Sequence, residues 1–222
     1  MSNYTKVELD SWNRKETFDF FNGMTYPYLT ISSRLEITEA YNLAKSNKKS
    51  LYATISWLIL KALNQINEFK CRVENNSILS FDRLGASFSV LKTDNSLNFS
   101  RFTDFNEEYD VFLDNFIKNK QEAESGTEIA NTEKNLVYLT CLPKIELAQM
   151  ISPMDLKTKD SITRICWGKV YKEQEKKYIT LSVQVHHGLI DGFHIGILNE
   201  LIEKESKLLG EKYEKNSVYR FR

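Results

Sequence analysis

The sequence predicts an α+β protein, a mixed β-sheet with helices packed on one side. Hairpin-linked segments with the two-residue alternation of strands are interspersed with about four stretches of helical spacing. Three prolines and eight glycines are scattered through 222 residues without forming a linker, and no internal repeat is present. Residues 1–222 therefore read as a single domain. With 41% hydrophobic and 27% charged residues, the chain can bury a sizeable core and is unlike a disordered one.

Residues 28–37 alternate as a strand. Residues 51–67 then place Leu51, Ile55, Leu58, Ile59, Ala62, Leu63 and Ile66 at helical spacing, the pattern of a helix lying on a sheet. Residues 71–73 and 78–81 flank Glu74-Asn75-Asn76-Ser77, whose asparagines tolerate the left-handed conformations of a tight reversal. That pair is a hairpin. Residues 86–91 and 97–102 extend the β pattern, and 107–122 return to helical spacing through Tyr109, Phe112, Leu113, Phe116 and Ile117. The polar run 121–135 is a solvated loop. Beyond it, 136–141, 145–150, 162–170 and 178–187 read as strands, with 173–177 as the tip of a long hairpin between the last two. Residues 192–209 close the chain as an amphipathic helix.

Thirty basic residues balance thirty acidic ones, which removes the basic excess expected of a nucleic-acid binder. The first residues carry charges where a signal peptide needs an apolar core. The most apolar stretch, 53–63, is about half the length of a bilayer-spanning helix and is interrupted by Lys61. Neither secretion nor membrane insertion is expected, and the cytoplasm is the default. Cys71, Cys141 and Cys166, odd in number and without CxxC spacing, argue against a disulfide framework or a zinc ribbon and for a reducing compartment.

The three histidines, His186, His187 and His194, fall within nine residues. Strand alternation puts Ile179, Leu181, Val183 and Val185 on one face; His187 continues that row and His186 points the other way. Gly188 and Asp191-Gly192 then break the strand into a turn before a helix begins near Phe193. An imidazole there is held by a rigid strand and partly desolvated, which keeps it neutral near pH 7, the form a general base needs. A hydrogen-bonded core histidine fits the same spacing. No metal site is expected, because adjacent strand histidines face opposite ways and no Glu or Cys stands at a zinc-ligand spacing.

The run His186-His187-Gly188-Leu189-Ile190-Asp191-Gly192 matches the HHxxxDG motif of the CoA-dependent acyltransferases. Its extension to His194, VHHGLIDGFH, resembles the chloramphenicol acetyltransferase family in particular. Near the other end, Trp12-Asn13-Arg14-Lys15-Glu16 followed by Phe18 is similar to that family's WxRKExF opening. Residues 67–70 (NEFK) and 160–169 (DSITRICWGK) resemble its segment after the buried helix and its penultimate strand, so the similarity runs in order over 7–209. The resemblance implies a chloramphenicol-acetyltransferase-like fold and an O-acetyltransferase that moves an acetyl group from acetyl-CoA to a hydroxyl of chloramphenicol or a similar small molecule. It also implies an antibiotic-resistance type of activity and a homotrimer with its sites between subunits. On the same ground His187 is the general base, and the acceptor oxygen attacks the thioester directly without an acyl-enzyme. Asp191 and Arg14 form an ion pair that shapes the site, and Phe21 matches a position where the family lines its acceptor pocket with an aromatic ring.

Departures from the family pattern concern the reaction itself. The family carries a Pro-Trp stretch ending Phe-Thr-Ser, whose serine hydroxyl steadies the oxyanion. Anchored on Pro143, the tryptophan becomes Lys144, and Phe-Thr-Ser becomes Leu147-Ala148-Gln149. A threonine of the penultimate strand falls at Cys166, which also reads as a small buried hydrophobe between Ile165 and Trp167. Losing one oxyanion donor costs on the order of 10²- to 10³-fold in turnover. Gln149 keeps an amide N–H that can donate with a longer reach, and Ser152 lies three residues on. The alternative is an impaired or inactive relative acting as a trimeric binding protein.

Overall fold

A computed structural model describes residues 3–75, 77–127, 131–158 and 160–219. Strand β1 (Tyr4–Lys6) and a 3₁₀ turn (Leu9–Ser11) lead into α1 (Lys15–Asn22), β2 (Tyr28–Glu36), α2 (Thr38–Ser46) and α3 (Leu51–Leu63). A second 3₁₀ turn (Asn67–Lys70) precedes β3 (Cys71–Glu74), β4 (Ser77–Phe81), β5 (Gly85–Leu91), β6 (Leu97–Phe99) and β7 (Thr103–Asp104). The chain continues through α4 (Tyr109–Glu124), β8 (Leu136–Cys141), β9 (Arg164–Trp167), β10 (Tyr171–Glu173), β11 (Lys176–His186) and α5 (Gly192–Tyr219).

Strands β1, β4 and β3 form a small antiparallel sheet. Its β3–β4 hairpin is the expected one: Glu74 pairs with Ser77, and Asn75 takes φ 48°, a left-handed value that asparagine tolerates. Asn76 of that turn lies outside the described residues. The second sheet has eight strands and is mixed, with β5–β8 and β8–β9 parallel and the other pairs antiparallel. Its longest strand, β11, lies between β2 on one side and β9 with β10 on the other.

Register divides this sheet into two unlike faces, because residues paired across strands share a side. Leu139, Ile165, Val183 and Ile31 form one row, and the apolar residues of α2, α3, α4 and α5 close over it in a common core. Helix α3 is capped by Ser50, whose hydroxyl accepts from the Ala53 N–H at 3.3 Å, and is buried without a break from Ala53 to Leu60. A helix buried all round fits its place between the sheet and helices α4 and α5. The opposite face is polar. Thr140, Cys166, Ser182 and Ser32 make one row there, and Tyr138, Arg164, Gln184 and Thr30 the next.

Several expectations change. Helices α1 and α2 occupy residues that showed no readable helical signal, α3 ends at Leu63, and α5 runs to Tyr219. Residues 145–150 are not a strand. Both edges of β9 are taken, by β8 and β11, so no ladder is open to them. The Ile145 N–H instead turns back to the Leu142 carbonyl at 3.1 Å, and the Ile145 carbonyl accepts from the Lys169 N–H at 2.7 Å. The long hairpin before His187 is interrupted: between Trp167 and Tyr171 its outgoing strand has one residue more than β11 has between Leu181 and Tyr178. That extra residue makes a bulge between Trp167 and Tyr171, where the Gly168 N–H still donates to the Thr180 carbonyl at 3.3 Å.

Candidate active site

Strand β11 delivers the histidine pair. His186 is its last residue, paired with Tyr28, and is 1% exposed between the rings of Phe18 and Tyr28. It lies on the polar side of the sheet, as the alternation requires, but in a packed layer. The backbone N–H of His187 donates to the Pro27 carbonyl at 2.7 Å, after which the chain reverses through Leu189 and Ile190 N–H bonds to the His186 carbonyl. Gly188 permits this reversal. A Cβ there would stand 3.1 Å from both the Phe18 ring and His186 Cε1.

The His187 ring is half-buried and stacks on Phe21, with centroids 3.8 Å apart and planes 26° off parallel. Its Nδ1 lies 3.2 Å from the Ile190 carbonyl oxygen. A carbonyl only accepts, so Nδ1 carries a proton, and in the neutral ring Nε2 keeps its lone pair. This is the tautomer that can take a proton at Nε2.

Behind His187, Asp191 stands at the start of α5, where its Oδ1 accepts from the Phe193 N–H at 3.0 Å as a helix cap does. Arg14, at the start of α1, donates from Nη1 to Asp191 Oδ2 at 2.9 Å across 177 residues of sequence. Burial alone would push the Asp191 carboxyl up. The hydrogen bond and charge of Arg14, with His194, outweigh it and hold the carboxyl below its usual range. His194, 7% exposed, brings Nδ1 to 2.8 Å from Asp191 Oδ1 and Nε2 to 3.7 Å from Glu68 Oε1. Sequence reasoning gave His194 no role, although its place three residues after Asp191 on the same helical turn was a usable signal.

Cys166 and the segment of Gln149 both meet Ser182 of β11, Cys166 as its ladder partner and Met150, the residue after Gln149, through hydrogen bonds. Cys166 is buried, and burial pushes its thiol up to about 12, so it is a small apolar wall residue and not a nucleophile. In the same row, the Ser182 hydroxyl donates to the Met150 carbonyl at 2.8 Å and accepts from the Met150 N–H at 3.1 Å. Gln149, one residue before, is exposed. The Ser152 N–H donates to Gln184 Oε1 at 2.8 Å, so this segment runs alongside β11. Ser182 is five residues short of His187, roughly 16 Å along the strand. Gly168 lets the preceding turn lie down: a Cβ there would be 2.6 Å from Leu147 Cβ and 2.8 Å from the Ile145 carbonyl.

A cavity of about 1290 Å³ opens on this second region. Tyr52, Tyr138, Met150, Ser152, Arg164 and Trp167 are in its wall, and His187 and Phe21 are not. Lys45, Lys120, Lys144 and Lys169 also line it, against the one carboxylate of Glu124. Among the described residues no cluster of His, Cys, Asp or Glu could hold a metal ion, and no helix is long and apolar enough to cross a membrane.

A mixed sheet whose longest strand turns through an HHxxxDG segment into a helix, with an arginine from the chain's beginning paired to that aspartate, defines the CoA-dependent acyltransferase class. Residues 2–202 match the family model for chloramphenicol acetyltransferase. Among curated relatives, chloramphenicol acetyltransferase 3 of Escherichia coli is 24% identical over 205 residues, covering 90% of this chain and 96% of that one. The Campylobacter coli chloramphenicol acetyltransferase is 27% identical over 196 residues, covering 86% and 93%. A solved chloramphenicol acetyltransferase superposes with a TM-score of 0.84 at 20% identity, over 91% of this chain and 99% of that one. Dihydrolipoamide acetyltransferase of Azotobacter vinelandii shares the fold more distantly, with a TM-score of 0.67 at 13% identity over 82% and 84%. The chain belongs to the chloramphenicol acetyltransferase family, and it is an acetyl-CoA-dependent acyltransferase.

Proposed function

We propose that this protein is an O-acetyltransferase that acetylates a hydroxyl of chloramphenicol or a similar small molecule, with His187 as general base. Nε2 of His187 takes the hydroxyl proton as the acceptor oxygen bonds to the acetyl carbonyl carbon. The resulting tetrahedral species then expels the CoA sulfur, which recovers the proton from His187. Arg14 and Asp191 stay an ion pair throughout and hold the turn that carries the base. The observation that carries this reading is the Nδ1 contact of His187 with the Ile190 carbonyl, which leaves Nε2 as the accepting nitrogen.

The donor's phosphates fit the second region better than the first, since four lysines face one glutamate in its cavity. That cavity excludes His187, and the Gln149 segment runs beside β11 well short of it. Both facts favour a site completed by a second copy of the chain, in a homotrimer, with Phe21 of one copy against the acceptor. Three free cysteines, two of them buried, and an acetyl-CoA donor favour the cytoplasm. A second reading, an impaired trimeric binding protein, draws on one observation: Gln149 stands where the family has its oxyanion serine, and it is exposed.

The test is thiol release from acetyl-CoA with chloramphenicol and a panel of small alcohols. The parent is expected to turn over, and His187→Ala to lose about 10³-fold in kcat. Undiminished turnover in His187→Ala rejects the base; a parent that binds acetyl-CoA yet turns over no acceptor favours the second reading.

A further inference from the structure

We infer that His194 is a positioning residue for the proposed base, clamping Asp191 so that the proton of His187 stays on Nδ1. The inference rests on the acetyl-transfer reading for its purpose, though not for its geometry. Arg14 grips Asp191 with one bond only, from Nη1 to Oδ2, and its Nε and Nη2 find no partner among the described residues. Its other oxygen, Oδ1, accepts from the Phe193 N–H at 3.0 Å within its own turn, and His194 Nδ1, at 2.8 Å, is the second and shorter donor to that oxygen. At that distance from a carboxylate oxygen Nδ1 must carry a proton, because two lone pairs would repel. The 3.3 Å approach of the Asp191 N–H to the same nitrogen is then a packing contact.

The consequence reaches His187 through a single peptide group. Its carbonyl end, on Ile190, accepts from His187 Nδ1, and its N–H end belongs to Asp191 and abuts the His194 ring. Tilting that peptide moves the oxygen that fixes the tautomer of His187. His194 is itself nearly buried, with Nε2 3.7 Å from Glu68 Oε1 on the 3₁₀ turn after α3, beyond hydrogen-bond distance. The order of support is therefore His194, Asp191, Ile190 carbonyl, His187. Asp191 and Glu68 are the carboxylates facing His194, and Arg14 is the cation beyond Asp191.

The chain has only three histidines, so ¹⁵N-labelled imidazoles can be resolved one by one by NMR. In the parent, neutral His187 is expected as one tautomer, protonated at Nδ1. His194→Phe keeps the volume and removes the donor; His187 is expected to become a tautomer mixture, with kcat down about tenfold and KM within about twofold, the scale of a lost orienting bond. His194→Asn, whose amide nitrogen falls at the Nδ1 position, should restore both. His194→Gln reaches the Glu68 side instead and should fail like the phenylalanine, which supplies a loss variant if His194→Phe does not fold. An unchanged His187 tautomer in a folded loss variant overturns the inference, as does an asparagine variant no better than glutamine. The spectra need no acceptor, so a parent without turnover defeats the acetyl-transfer reading while the tautomer still decides this one.

Discussion

Around His187 the chain binds itself through side chains: a stacked Phe21, an Arg14–Asp191 pair and a nearly buried His194. The segment over residues 143–152 is held differently. It meets the sheet through backbone groups, at Met150 and Ser152, and leaves Lys144, Ile145, Glu146, Ala148 and Gln149 exposed. The first region is where the sequence keeps the family pattern, and the second is where it departs from it. Side-chain clamps tie geometry to residue identity, whereas backbone ties keep a path in space while its side chains change. The fold can therefore retain both walls of a site while only one of them keeps its chemistry.

The largest effect is expected from breaking the first region. Arg14→Met removes the charge that holds Asp191, and a misplaced base is expected to cost about 10²-fold in kcat. Stability should fall by about 1–2 kcal/mol at pH 7, between the value of an exposed pair and that of a buried one. The pH dependence has a defined sign. The Asp191 carboxyl is depressed in the folded protein, so its contribution is present above its unfolded value near 4 and is lost as pH falls through the folded value. Urea midpoints at pH 7 and pH 3 should therefore drop less on acidification in Arg14→Met than in the parent. An equal drop would show that the pair contributes nothing to acid sensitivity.

Such clamps are partly legible in a sequence. Alternation placed β8 and β11 within a residue or two, and glycines with an aspartate marked the turn after His187. The ion pair was not legible from spacing, because Arg14 and Asp191 are 177 residues apart and only the family resemblance joined them. Helices α1 and α2 escaped notice because they follow Arg14 and Ile37, neither of which caps with its side chain, so the usual start signal is missing. Residues 145–150 misled in the other direction. Their apolar content suits a strand, but strand formation depends on a free ladder edge, which belongs to the tertiary structure and not to the segment.

An intermediate effect tests the second region's backbone. Gly168→Ala drives a Cβ into Leu147 and the Ile145 carbonyl, and a rigid backbone contact at 2.8 Å cannot be relieved by a side-chain rotation. Overpacking of this kind costs about 1–3 kcal/mol. Thermal melting should show a Tm lower by several degrees. Turnover should fall with it, because the path of residues 145–149 is displaced while His187 is untouched. A variant as stable and as active as the parent would mean that the turn's approach to the bulge has no bearing on either.

The smallest effect is expected where side chains are free to vary. Gln149→Ser puts back the hydroxyl that the family uses, on a segment whose position is set by the Met150 and Ser182 bonds and not by Gln149 itself. The backbone should not move, so the substitution isolates donor chemistry from geometry. If the Gln149 amide already reaches the oxyanion, the serine is a shorter replacement, and kcat with chloramphenicol should change by less than about tenfold, since a whole lost donor is worth about 10² to 10³. A rise on that full scale would show instead that the parent lacks a donor, and would turn the second region from a varied wall into a broken one. Neither outcome should alter the His187 tautomer, because the two regions of one chain share no side-chain contact through Gln149. That independence separates a weak enzyme with an intact base from one whose base is misplaced.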